Sequence, residues 1–80
     1  MAALLLFAGS FAHADDAPRA IEQALAAAQT DKRGVNLYVA GQVIPGLVVR
    51  IEPGQWVELR NQQFSRIVVR LDRIDAVAQP

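Results

Sequence analysis

The sequence predicts a mainly β protein, an N-terminal α-helix followed by a strongly bent, five-stranded antiparallel barrel. Three observations point there. The apolar period changes at Val35, from the helical i, i+4, i+7 spacing to alternation. Turn-forming residues then punctuate the chain at short intervals. Finally, the alternation slips by one residue in IVVRLDRIDAV, Ile67 to Val77. Ile67, Val69 and Leu71 share a face, whereas Ile74 breaks the parity. A tight turn or bulge at Asp72-Arg73, where a small barrel must bend to close, produces that slip.

The first 14 residues read as separate from this domain. Leu4, Leu5, Leu6, Phe7 and Phe11 form an apolar run too short to span a bilayer. Ala12-His13-Ala14 then gives an A-x-A cleavage pattern ahead of Asp15-Asp16. No Lys or Arg precedes the run, and a frayed apolar helix is the other reading. The expectation is a signal peptide over residues 1–14 and a periplasmic or secreted domain over 15–80, with no membrane anchor in the mature chain.

The segment Asp15 to Gln29 reads as a helix, regular from about residue 17, with Asp16 as cap and Pro18 in the first turn. Glu22 lies early, where the helix dipole favours an anion. Ile21, Leu25 and Ala28 form one stripe, made shallow by the surrounding alanines. Thr30 to Gly34 is a polar stop with Gly34 as terminator. Val35, Leu37 and Val39 face one way on the first strand. Gly41-Gln42 and Pro45-Gly46 read as punctuation. Leu47 to Glu52, Trp56 to Asn61, Phe64 to Leu71 and Ile74 to Ala78 are the remaining strands. Pro53-Gly54 has the spacing of a type II turn, and Asn61-Gln62-Gln63 is the next connection.

Composition excludes several functions. All eight basic and eight acidic residues follow Ala14, so the domain is neutral, which argues against broad attraction to nucleic acid or anionic lipid. There is no cysteine, and the one histidine, His13, lies in the leader. Neither a disulfide nor a metal centre is expected to staple a domain this small, and no cofactor is implied. Oligomerisation is the remaining common support. No nucleophile has an evident base beside it, so catalysis is not expected. Glu52 and Asp72 are the nearest acid/base candidates, and service in turns and ion pairs is the simpler reading of both.

The pattern resembles the Sm/Lsm superfamily, which includes the bacterial RNA chaperone Hfq. Gly46, Val48, Ile51 and Glu52 fall on the first Sm motif, and Val69-Arg70-Leu71-Asp72-Arg73-Ile74 on the second. VNLYVAG resembles the first strand of Hfq, and the likeness runs from Pro18 to Pro80. Trp56 stands where the first motif has asparagine, and Leu71 where the second has glycine. The Tyr-Lys-His run that grips uridine-rich RNA is replaced by Arg70-Leu71-Asp72.

The resemblance implies an Sm-like (SH3-like) barrel that closes into a homo-oligomeric ring by pairing of the last two strands. Phe64, Ile67, Val69, Leu71, Ile74 and Val77 are the expected seam. It also implies an Arg70 that lines a central opening and stacks on a base, a role that suits a guanidinium plane. Pairing with Asp72 or Glu58 is the simpler reading of Arg70. Trp56 reads as a stacking platform or as a cap on the core. Tyr38, Glu52 and Asp72 complete the expected binding residues with Arg70 and Trp56, and Arg50 is a weaker surface candidate beside them.

Three functions follow as expectations. The first is a non-catalytic, exported binding and assembly module. The second is an intracellular, RNA-binding Lsm-like ring; RNA is a disfavoured partner if the chain is exported. The third is a monomeric SH3-like barrel that binds peptide or cell-wall polymer.

Overall fold

A computed structural model describes residues 16–80. The expected signal peptide and His13 lie outside the described residues. Helix α1 (Asp16–Asp31) is followed by strands β1 (Gly34–Val39), β2 (Gln42–Glu52), β3 (Trp56–Arg60) and β4 (Ile67–Arg70), a 3-10 turn (Leu71–Arg73) and β5 (Ala76–Ala78). The strands form one antiparallel sheet in the order β4-β3-β2-β1-β5. It is an open sheet: β4 and β5 are its edges, and no pairing joins them.

The helical stripe does what its spacing requires. Leu25 and Ala28 are buried, and Ile21 packs beside them. The helix ends differently from the expectation. Gly34 is the first residue of β1, and Lys32 takes the left-handed conformation at φ 57°. The Lys32 N–H donates to the Gln29 carbonyl (3.3 Å) and the Arg33 N–H to the Ala28 carbonyl (3.1 Å). This pair of bonds is the Schellman closure, and it satisfies two end carbonyls of the helix.

The β1–β2 hairpin turns on Ala40 (φ 52°) and Gly41 (φ 77°), one residue earlier than Gly41-Gln42. Positive φ at both central positions is the type I′ geometry that matches strand twist. Alanine is strained there, and asparagine is not. Ala40→Asn is therefore expected to stabilise the domain by about 1 kcal/mol, raising Tm by roughly 4–8 °C in a chain of this size. A thermal melt followed by circular dichroism checks it.

Pro45-Gly46 lies inside β2, correcting its reading as a break; β2 starts at Gln42. Pro45 pairs with Asn36 of β1, while pairing with β3 begins only at Leu47. The Pro45 carbonyl accepts a bond from Asn61 Nδ2 (2.8 Å), on the side where β3 has ended. In an antiparallel strand the N–H of a residue points the same way as its carbonyl, so the missing N–H costs no ladder bond. Gly46 is required by proximity: a Cβ there would stand 2.9 Å from the Arg60 carbonyl oxygen. Gly54 has φ 74° after Pro53, and the Gln55 N–H donates to the Glu52 carbonyl (3.0 Å), as a type II turn demands.

Past Arg60 the strands are shorter than expected. Residues 61–66 form a loop organised by Asn61, whose Oδ1 accepts the N–H groups of Gln63 (2.9 Å) and Phe64 (2.8 Å). Phe64 therefore precedes the strand, and β4 starts at Ile67. The parity slip is the 3-10 turn, which leaves β5 starting at Ala76 instead of Ile74. Val35, Leu37, Val48, Val57, Leu59, Val69 and Ile74 complete the core with Leu25 and Ala28. A bulge between Val48 and Arg50 shifts the parity of β2, so that Arg50 and Glu52 join the outer face and Ile51 the inner one, with Val49 exposed between Val48 and Arg50.

Candidate functional site

The outer face of the sheet gathers four of the five predicted binding residues at one end. Glu52, Trp56 and Arg70 stand side by side on β2, β3 and β4. Asp72 follows on the 3-10 turn. The Leu71 N–H donates to the Gln55 carbonyl (2.9 Å), which makes Leu71 and Gln55 a hydrogen-bonded pair. Trp56 and Arg70, one step along, are then a non-hydrogen-bonded pair, the closer of the two kinds for side chains. Arg50 completes the row: its Cζ lies 5.5 Å from the centroid of the Trp56 ring.

Each arginine is also held by a carboxylate two residues away. Arg50 Nη2 is 3.4 Å from Glu52 Oε2, and Arg70 Nη2 is 3.0 Å from Asp72 Oδ2. All four side chains are substantially exposed, so each pair contributes at most about 1 kcal/mol. Their effect is on direction. The guanidinium of Arg50 lies over the ring and that of Arg70 is fixed at the sheet edge. The cation–π contact adds about 0.5–1 kcal/mol at such exposure. Glu58 on β3 pairs with Arg66 (3.3 Å) across from β4, not with Arg70. The row offers one aromatic face and two oriented guanidinium groups to a planar or anionic partner. Glu52 and Asp72 are ion-pair partners here, as the simpler sequence reading had them.

Tyr38 does not join this row. It lies on β1, opposite Val43 and Ala76. The residues expected at a subunit seam divide. Val69 and Ile74 are buried in the core of their own chain, and Ile67, Leu71 and Val77 pack against it. Phe64 is 57% exposed in the loop before β4. On β4 itself the outward side chains are Val68 and Arg70, which period two separates from Ile67 and Val69.

Among the described residues there is no cluster of three or more His, Cys, Asp or Glu. No helix among them is long and apolar enough to cross a membrane. Sequence reasoning missed Asn61 as the organiser of its loop. The residue sits in a polar run already read as a turn, and its bond to Pro45 spans 16 positions, beyond any local signal. No known family profile and no curated protein sequence matches the chain.

Proposed function

We propose that this chain is a non-catalytic binding and assembly module of Sm-like architecture, whose copies join edge to edge in a closed homo-oligomer. The observation that carries the reading is the strand order. With β4 at one edge and β5 at the other, a copy can offer β4 to the β5 of its neighbour. That contact is head-to-tail, and repetition gives a ring when the rotation closes. The unpaired backbone groups of an open edge are a template for pairing with another chain. The close approach at Gly46 fits the glycine of the first Sm motif.

Export belongs to the same reading and rests on the apolar run and the Ala12-His13-Ala14 pattern. An RNA-binding ring of the cell interior is the second reading, and the row of Arg50, Trp56 and Arg70 favours it, because such a row stacks bases. Intact mass and light scattering on protein purified from the native envelope separate the two. The expected result is a chain beginning at Asp15 that scatters as a multimer. A cytoplasmic form that retains Met1 excludes export, and a monodisperse monomer at high micromolar concentration excludes the ring.

A further inference from the structure

Three ion pairs among the described residues engage Arg50, Arg66 and Arg70. Lys32 and Arg60 are in none of them, and they line one groove. This groove, of about 570 Å³, runs between the C-terminal end of α1 and strands β2 and β3. Lys32 and Gln29 stand on its helix side, Arg60 on β3, and Leu47, Val48 and Val49 on β2. Gln29 Nε2 donates to the Val49 carbonyl (3.0 Å) and ties the helix to the strand there.

Two features give the groove an apolar surface. Alternation about the buried Val48 exposes Val49 (41%) and Leu47 (38%), so two branched side chains lie at the surface. Leu47 and Arg60 also border a neighbouring hollow of about 680 Å³, reached past Gly34, Pro45 and Gly46. Gly34 and Gly46 line it, and at Gly46 the backbones of β2 and β3 leave no room for a Cβ. Each hollow by itself is within the size range of small-ligand sites. They combine a cationic end, at Lys32 and Arg60, with an apolar end.

The backbone at the cationic end is strained. Lys32 is held at φ 57°, where glycine is the usual residue, and Gly34 stands only two positions on.

We propose that this surface binds an acidic amphiphile, with a single carboxylate or phosphate head between Lys32 and Arg60. The unbranched tail runs from the head past Leu47 toward Pro45 and Gly46. Charge complementarity selects the head, and the continuity of the apolar floor selects the tail. The site is apart from the Trp56 row and does not depend on ring formation.

The test is amide chemical-shift titration of the full chain with dodecanoate below its micellar concentration. The expected result is saturable shifts at Gly34, Gly46, Leu47, Val49 and Arg60. Lys32→Gln and Arg60→Gln, both at exposed positions, should each weaken binding roughly fivefold while the remaining spectrum stays native. Dodecyltrimethylammonium, with the same tail and the opposite charge, should leave these amides unmoved, and acetate should bind far more weakly. Equal response to the cationic amphiphile overturns the proposal, as does unchanged affinity in both variants. Binding to phosphatidylglycerol vesicles without any response to monomeric dodecanoate overturns it in favour of a lipid surface.

Discussion

Leu59→Ala is expected to leave the domain largely unfolded at room temperature or close to it. Leu59 is 0% exposed at the middle of β3, paired with Val48 on one side and Ile67 on the other. It is one of the four largest fully buried side chains, with Leu25, Leu37 and Val57. Truncating a buried leucine to alanine costs about 2–5 kcal/mol, the higher figures applying where the cavity cannot collapse. Collapse is hindered here because Gly46, beside Leu59, is already in backbone contact with β3. A domain of this size has a total stability of roughly 3–10 kcal/mol. At the upper end of that cost, about 5 kcal/mol, one substitution therefore removes half of the stability or more. Urea denaturation followed by Trp56 fluorescence measures it. Val68→Ala, at a 49% exposed position on the neighbouring strand, serves as control and should stay within about 0.5 kcal/mol. Equal midpoints for the two variants would show that Leu59 is not a keystone of the core.

Legibility in the sequence followed the range of the interactions. The helix stripe of Ile21, Leu25 and Ala28 and the inward set of β1 were readable because period alone decides which residues face a core. Gly54 was readable because proline before it and a required positive φ leave few alternatives. Pro45-Gly46 misled because proline and glycine signal breaks in isolation. Here the proline falls where β3 has ended, and the glycine where β3 comes closest. Only the register of a neighbouring strand separates those cases from a turn. Lys32 in place of Gly34 as helix terminator is the same kind of failure, since the chain accepts local strain to start β1 two residues later.

The candidate site was readable for a related reason. Glu52 and Trp56 flank a short connection, and antiparallel pairing of β3 with β4 brings Arg70 opposite Trp56 at the far end of the next pair. The Lys32–Arg60 groove was not readable. It joins residues 28 positions apart through the packing of the α1 end on β2 and β3, which no local pattern announces. The strand order, β4-β3-β2-β1-β5, lay between these extremes. Consecutive hairpins account for four strands, and only the pairing of β5 with β1 crosses the chain.

Val68→Pro is expected to abolish assembly and leave the fold intact. Leu71 donates its N–H to Gln55 on β3, so alternation sends the N–H of Val69 and of Ile67 toward β3 as well. Val68 and Arg70 then present their N–H and carbonyl groups to the open edge, where β5 of a second copy would pair. Proline at 68 removes one outward donor and sets a pyrrolidine ring against the incoming strand. The ladder with β3 loses nothing, because an edge strand tolerates proline where the N–H faces away from its partner. The Val68 side chain is half exposed, so little packing is lost with it. Light scattering should therefore report a monomer, while the thermal midpoint of the monomeric domain shifts by less than the effect of a core truncation. Val68→Lys is the companion variant. It keeps the backbone donor and alters only the exposed side chain, so a seam built on strand pairing should weaken without disappearing. A Val68→Pro protein that still assembles would move the interface away from β4. A protein in which Val68→Lys disrupts assembly as completely as Val68→Pro would place the contact in side chains, not in backbone pairing.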